Sequence, residues 1–205
     1  MKNFVLVSIA GVWLCCGACV SDARQPLSNQ SDSLSRSDSA GKDFFPVAAV
    51  LESEILYVDS MPLALHKYLT RDGHTDSSFI RVPEFNALAL QFLVPELHDG
   101  SFERDFTESS FIDRGSRAVT FTYSTSNRNL SLQRVDVIAT PQGAIHQMKS
   151  VYLEMNRVSG DSVILQKMFW RAAKNFEVVS LIRIKGKPPV EQQLKVVWDT
   201  DEDNE

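Results

Sequence analysis

Val119-Thr120-Phe121-Thr122-Tyr123-Ser124 and, further on, Phe176-Glu177-Val178 and Ile182-Arg183-Ile184-Lys185 alternate apolar and polar side chains. That two-residue period belongs to strands packed on one face. Residues 119–198 read as five such segments, separated at 126–129, 140–143, 159–162, 174–175 and 186–189 by Gly, Pro, Asn, Asp and Ser. These residue types accept positive φ or preset a bend. Gaps so short leave no room for crossover helices, so neighbours should pair antiparallel, as a meander. One segment is apolar on both sides: Val163, Leu165 and Phe169 alternate with Ile164, Met168 and Trp170. Such a strand sits centrally and is covered front and back.

Upstream, Pro46 starts a helix whose stripe is Val47, Leu51, Ile55 and Val58, with Glu52, Ser53 and Glu54 outward. Pro62 ends it. A hairpin follows, because Asp72-Gly73 supplies the positive φ angles of a tight turn. A second helix opens at Pro83, buries Phe85, Leu88, Ala89 and Phe92, and must stop before Pro95. Residues 98–115 form a polar connector that Phe102, Phe106 and Phe111 should pin to the body, as a short strand or a helical turn. No period of 20 to 50 residues runs through the chain, which removes solenoids and propellers. The expected class is α+β, a curved antiparallel β-meander of about five to seven strands with two N-terminal helices packed on it.

The first residues carry an address. Met1-Lys2-Asn3 precedes an apolar run over 4–14, shorter than the roughly 20 residues of a spanning helix and of signal-peptide proportions. The run ends in Cys16-Gly17-Ala18-Cys19, which resembles the lipobox of bacterial lipoproteins, cut just before a cysteine that receives lipid; Cys16 stands where Leu is usual. A cut before Cys16 fits less well, and the competing reading is an ordinary secretory signal cleaved near Ala23. The resulting organisation is a signal peptide at 1–18, a flexible tether at 19–42, one α+β domain at 43–198 and an acidic disordered tail at 199–205. The tether's Ser, Asp, Asn and Gln cannot build a core. In the sorting logic of such lipoproteins, Val20 rather than Asp after Cys19 implies the outer membrane, at its periplasmic face or at the cell surface.

Cys15, Cys16 and Cys19 are the only cysteines, so the domain is expected to have no disulfide, cysteine metal site or cysteine nucleophile. The net charge is −5, and the last seven residues hold five acids, leaving the rest near balance. No basic stripe exists to displace counterions from phosphates, so nucleic acid is not an expected partner.

No catalytic signature in the sequence is complete. Gly160-Asp161-Ser162-Val163 looks like the nucleophile block of GDSL-type esterases, yet His66, His74, His98 and His146 all precede it, whereas that family's base follows the serine. No His-Glu-x-x-His or Asp-x-Asp-x-Asp-Gly pattern is present, and His66 and His74 could at most face each other across the hairpin. Paired carboxylates among Asp113, Asp136, Glu154 and Glu177 depend on separations that sequence does not give. No catalytic residue, metal or cofactor is therefore expected.

With the lipobox, the Lys42-Asp43-Phe44-Phe45-Pro46 helix start, the stretch at 117–123, Gln166-Lys167-Met168-Phe169-Trp170 and Val190-Glu191-Gln192 in view, the chain resembles the small uncharacterised lipoproteins of Bacteroidetes-type bacteria. The resemblance implies an envelope address and brings no activity. The expected function is a lipid-anchored, non-enzymatic interaction or assembly factor, held to the membrane through Cys19 and partnered by an envelope protein. The alternative is a periplasmic carrier of an apolar ligand or lipid that uses the concave sheet face, with Met168 and Trp170 as ligand-binding residues. A filled sheet interior with an exposed apolar patch favours the first; a continuous cavity under a mobile lid favours the second.

Overall fold

The computed structural model describes residues 44–98, 100–142 and 145–198. Expectations for the leader, the tether, Cys19 and the acidic end lie outside these residues. The described part is one antiparallel sheet with helices on one face. In chain order the elements are α1 (Val47–Ser60), β1 (Leu65–Arg71), β2 (His74–Ile80), α2 (Val82–Ala89), two 3-10 turns (Leu90–Phe92 and Pro95–Leu97), α3 (Ser101–Asp105), β3 (Thr107–Asp113), β4 (Ala118–Ser124), β5 (Leu132–Gln142), β6 (Ile145–Ser159), β7 (Ser162–Arg171), β8 (Asn175–Ile184) and β9 (Val190–Val197).

The sheet has nine strands in the order β2-β1-β9-β8-β7-β6-β5-β4-β3, not five to seven. Two events add strands. The β1–β2 hairpin joins the meander through β1, with Leu69 opposite Leu194, and the second half of the connector becomes β3, paired along β4. The stretch from 119 onward also holds six strands, since five turns bound six segments. A third, five-residue helix accompanies the two expected ones.

The turn chemistry acts locally as its residues require. Asp72 and Gly73 take φ of 51° and 77°, the paired positive angles of a two-residue hairpin turn. Between β7 and β8 the reversal centres on Ala173 at φ 57°, and Asn175, expected in the turn, is instead a buried residue of β8.

The core lies between the helices and one face of the sheet. α1 buries Val47, Leu51, Ile55 and Val58; α2 and the turn after it bury Phe85, Ala89 and Phe92. Phe85 and Phe92 meet a sheet-borne cluster of Trp170, Phe176 and Trp198, with Phe92 edge-on to Trp170 at 5.2 Å and Phe85 edge-on to Trp198 at 5.4 Å. Burying each large ring contributes about 1.5–3 kcal/mol, and edge-to-face geometry adds about 0.5–1.5 kcal/mol per pair. Glu54 does not face outward as expected. Its Oε2 accepts the Trp170 indole N–H at 3.4 Å and the Ala173 backbone N–H at 2.8 Å, tying α1 to the β7–β8 turn.

At the other end, the Phe45 N–H donates to the buried Tyr123 Oη at 2.9 Å, so β4 supplies the bond that starts the chain toward α1. Phe44, Phe102 and Tyr123 pack together there, and Phe106 packs on Phe102. Two of the connector's phenylalanines thus pin it, whereas Phe111 is 68% exposed. Burial pushes the Tyr123 phenol well above its ordinary value.

Trp170→Ala should cost about 3–5 kcal/mol in urea unfolding, the range for deleting a buried aromatic ring; a loss under 1 kcal/mol would mean the cluster is not packed as described. Tyr123→Phe leaves the Phe45 N–H without its acceptor and should cost about 1–2 kcal/mol at neutral pH. The raised phenol gives the alkaline sign. Below about pH 10 both folded and unfolded chains keep the proton, and above it the unfolded chain loses its proton first, so stability falls as pH rises. Tyr123→Phe should therefore flatten the loss of stability above pH 10, and an unchanged slope would contradict the assignment.

Candidate interaction face

β6, β7 and β8 lie in the middle of the sheet and run 15, 10 and 10 residues. Each exposes alternate side chains to opposite faces. On the helix side, Leu153, Met168 and Val178 are cross-strand neighbours, as are Val151, Trp170 and Phe176, and all six are buried. Met168 and Trp170 are both 0% exposed. The face on which a ligand was expected is filled by Phe85, Phe92, Phe176 and Trp198 around Trp170. Apolar filling stops at a polar row, where the Gln166 Nε2 donates to Ser180 Oγ at 3.1 Å.

The opposite face of the same strands carries a second apolar stripe. Leu165 faces Leu181, Val158 faces Val163, and Val179 and Phe169 continue the patch. Among the described residues, none of Val163, Leu165, Phe169, Val179 and Leu181 belongs to the core or to the partly buried residues packed against it. These five are half-buried by their strand neighbours, and Val158 is 70% exposed.

Charged groups rim this patch. Asp136 accepts from Thr122 Oγ1 at 2.7 Å and from Arg134 Nε at 2.9 and 3.0 Å. Glu154 stands between Arg134 and Lys167 on neighbouring strands, Gln193 donates to Glu177 at 2.9 Å, and the Arg171 guanidinium lies 6.0 Å from the Phe169 ring centroid. Burial, then the nearby Glu154 charge, raises the Tyr152 phenol above its ordinary value. An apolar centre with Tyr, Phe and Arg at a polar margin has the composition of a protein-binding surface.

The other candidate residues disperse. Ser162 pairs with Ser159 across the β6–β7 turn, while His146 sits near the far end of β6, about 40 Å from Ser159 at strand rise. His66 and His74 do not meet: His66 stacks on Phe79 at 4.6 Å on the outer face, and His74 faces Arg71 on the helix face. Asp113 is bound up in its own turn, accepting from Ser116 Oγ and the Gly115 N–H, which lower its pKa. Asp136, Glu154 and Glu177 share the outer face with cations or amides beside them. No group of three or more His, Cys, Asp or Glu able to hold a metal occurs among the described residues.

Sequence reasoning identified both faces of β7 and left open which one the helices take. The deciding signal is bulk and charge together. Met168, Trp170 and Phe176 lie on one side, and Lys167, Arg171, Glu177 and Arg183 interrupt the other. No family model matches the chain, and no curated protein compared with it is similar.

Proposed function

We propose that this chain is a lipid-anchored, non-enzymatic protein of the bacterial outer membrane that acts as an interaction or assembly factor, binding an envelope protein through the outer face of β6–β8. The observation that carries the reading is the contrast across one strand: β7 has a filled apolar face toward the helices and, on its reverse, an apolar stripe that no core residue among the described ones packs against. A packed interior supports docking over carriage, because a carrier needs unfilled volume where Met168 and Trp170 stand. The resemblance of Cys16-Gly17-Ala18-Cys19 to a lipobox supplies the anchor. No helix among the described residues is long and apolar enough to cross a membrane, so the lipid on Cys19 is the membrane attachment in this proposal.

Two measurements separate the parts. Cys19→Ser should move the full chain from the membrane fraction to the soluble fraction, and retention in the membrane overturns the anchor. A photo-crosslinking side chain at Leu181, in whole cells, should give one discrete protein adduct that Leu165→Glu reduces at least tenfold; the same probe at the exposed Glu52 of α1 should not give that adduct. Lipid rather than protein on the Leu181 probe would overturn docking in favour of an apolar-ligand role.

A further inference from the structure

One short string occurs twice, 32 positions apart: Thr75-Asp76-Ser77-Ser78-Phe79-Ile80 and Thr107-Glu108-Ser109-Ser110-Phe111-Ile112, differing only by Asp for Glu. The two copies are the two edge strands. β2 pairs with β1 alone and β3 with β4 alone, so each leaves one side unpaired among the described residues. Every pairing between them is antiparallel, and nine strands so arranged make β2 and β3 run in the same direction.

The register adds a stronger equivalence. The cross-strand row that begins at Phe79 and passes through His66 runs by way of Ile138 and Thr120 to end at Phe111. The row from Ser77 passes Tyr68 and Phe169 and ends at Ser109. The row from Asp76 passes Leu194 and Tyr123 and ends at Glu108. Equivalent residues of the two strings therefore close the same rows, on the same faces, with no net stagger. Three of their four apolar side chains stand in solvent, Phe79 at 77%, Phe111 at 68% and Ile112 at 60% exposed, while Ile80 is buried in the core.

We propose that these edges are complementary surfaces for a second copy of this chain, β3 of one molecule adding to β2 of the next as a parallel, in-register strand. Pairing within one molecule is disfavoured by geometry, because a sheet closes into a barrel only with a stagger that these rows lack. Between molecules the match is like on like: Thr beside Thr, Ser beside Ser, and Phe79 beside the next copy's Phe111. This is the side-chain stacking of in-register parallel strands about 4.8 Å apart. The contact is heterologous and does not close, so repetition gives a linear ribbon.

One pair opposes it. Asp76 would stand beside the next copy's Glu108 on the helix side, and inward acids of this kind keep edges apart. The two carboxylates thus set the strength of assembly, and salt should relieve their repulsion. Two-fold pairing of β2 with β2 avoids the acid clash and forfeits the match of identical residues.

The test uses the full chain with Cys15, Cys16 and Cys19 replaced by Ser, which leaves no other thiol. Phe79→Cys and Phe111→Cys are made separately, each with Asp76→Asn and Glu108→Gln; both phenylalanines are exposed, so the core is untouched. Adjacent parallel strands put the introduced thiols within the 4.4–6.8 Å Cα window of a disulfide. On mixing and oxidation, the 79–111 dimer should exceed either self-disulfide at least tenfold. Restoring Asp76 and Glu108 should lower its yield several-fold at low salt, with recovery in 0.5 M salt. The double-cysteine chain should give a ladder of linear oligomers. Predominant 79–79 or 111–111 bonds, an internal 79–111 bond in the double variant, or a 79–111 yield no higher than that from Val158→Cys mixed with Phe111→Cys would each overturn the proposal.

Discussion

The contact between Phe85 and Phe92 on the helical side and Trp170, Phe176 and Trp198 on the sheet governs the rest of the architecture. Five large rings pack in this one cluster, each contributing on the order of 2 kcal/mol by burial alone. Once α2 is seated there, the Lys67–Glu84 ion pair and the Glu54 bonds to Trp170 and Ala173 fix the helices against the sheet. One face of the central strands is thereby consumed. The other is left with apolar side chains that the helices cannot reach.

That asymmetry connects packing to function. A strand such as β7, apolar on both sides, is ordinarily covered twice. Here the described elements cover it once, and the reverse stripe of Val163, Leu165 and Phe169 is interleaved with Lys167 and Arg171. These charges break the stripe into short apolar runs, and in the proposed docking it is this stripe that the partner buries. The sheet's ends follow a different logic: β2 and β3 present the same side chains at the same level of the sheet, with an acid on each as the device that restrains pairing.

Much of this was legible in the sequence because it is local. Asp72-Gly73 fixed a hairpin by its φ requirement, Pro83 and Pro95 bracketed the second helix, and two-residue alternation marked the strands. What escaped was non-local. Nothing in residues 65–71 says that β1 pairs with β9, more than 120 positions away, and that pairing is what turns a meander and a separate hairpin into nine strands. In 98–115 a short strand and a helical turn stood as alternatives where the chain forms both, because Thr107–Asp113 is exposed over most of its length and so lacks the alternation that burial imposes. The reversal expected at 174–175 falls at 172–174 instead, centred on Ala173, because alanine carries no turn signal, and Glu54 passed for a surface acid because only the folded chain brings Trp170 to it. For the outer patch, the residues were visible in the sequence, and that the described helices all take the other face was not.

The central claim is that β7 has one closed and one open apolar face, and hydroxyl-radical footprinting of the folded full chain reads both at once. The account predicts that Met168, Trp170 and Phe176 are protected to the level of the unfolded-state baseline divided by at least ten, while Phe169 and Tyr152 are modified together with the exposed Phe79 and Phe111. Ready oxidation of Met168, among the most reactive of side chains and here fully buried, would show an interior that solvent enters and would contradict the account.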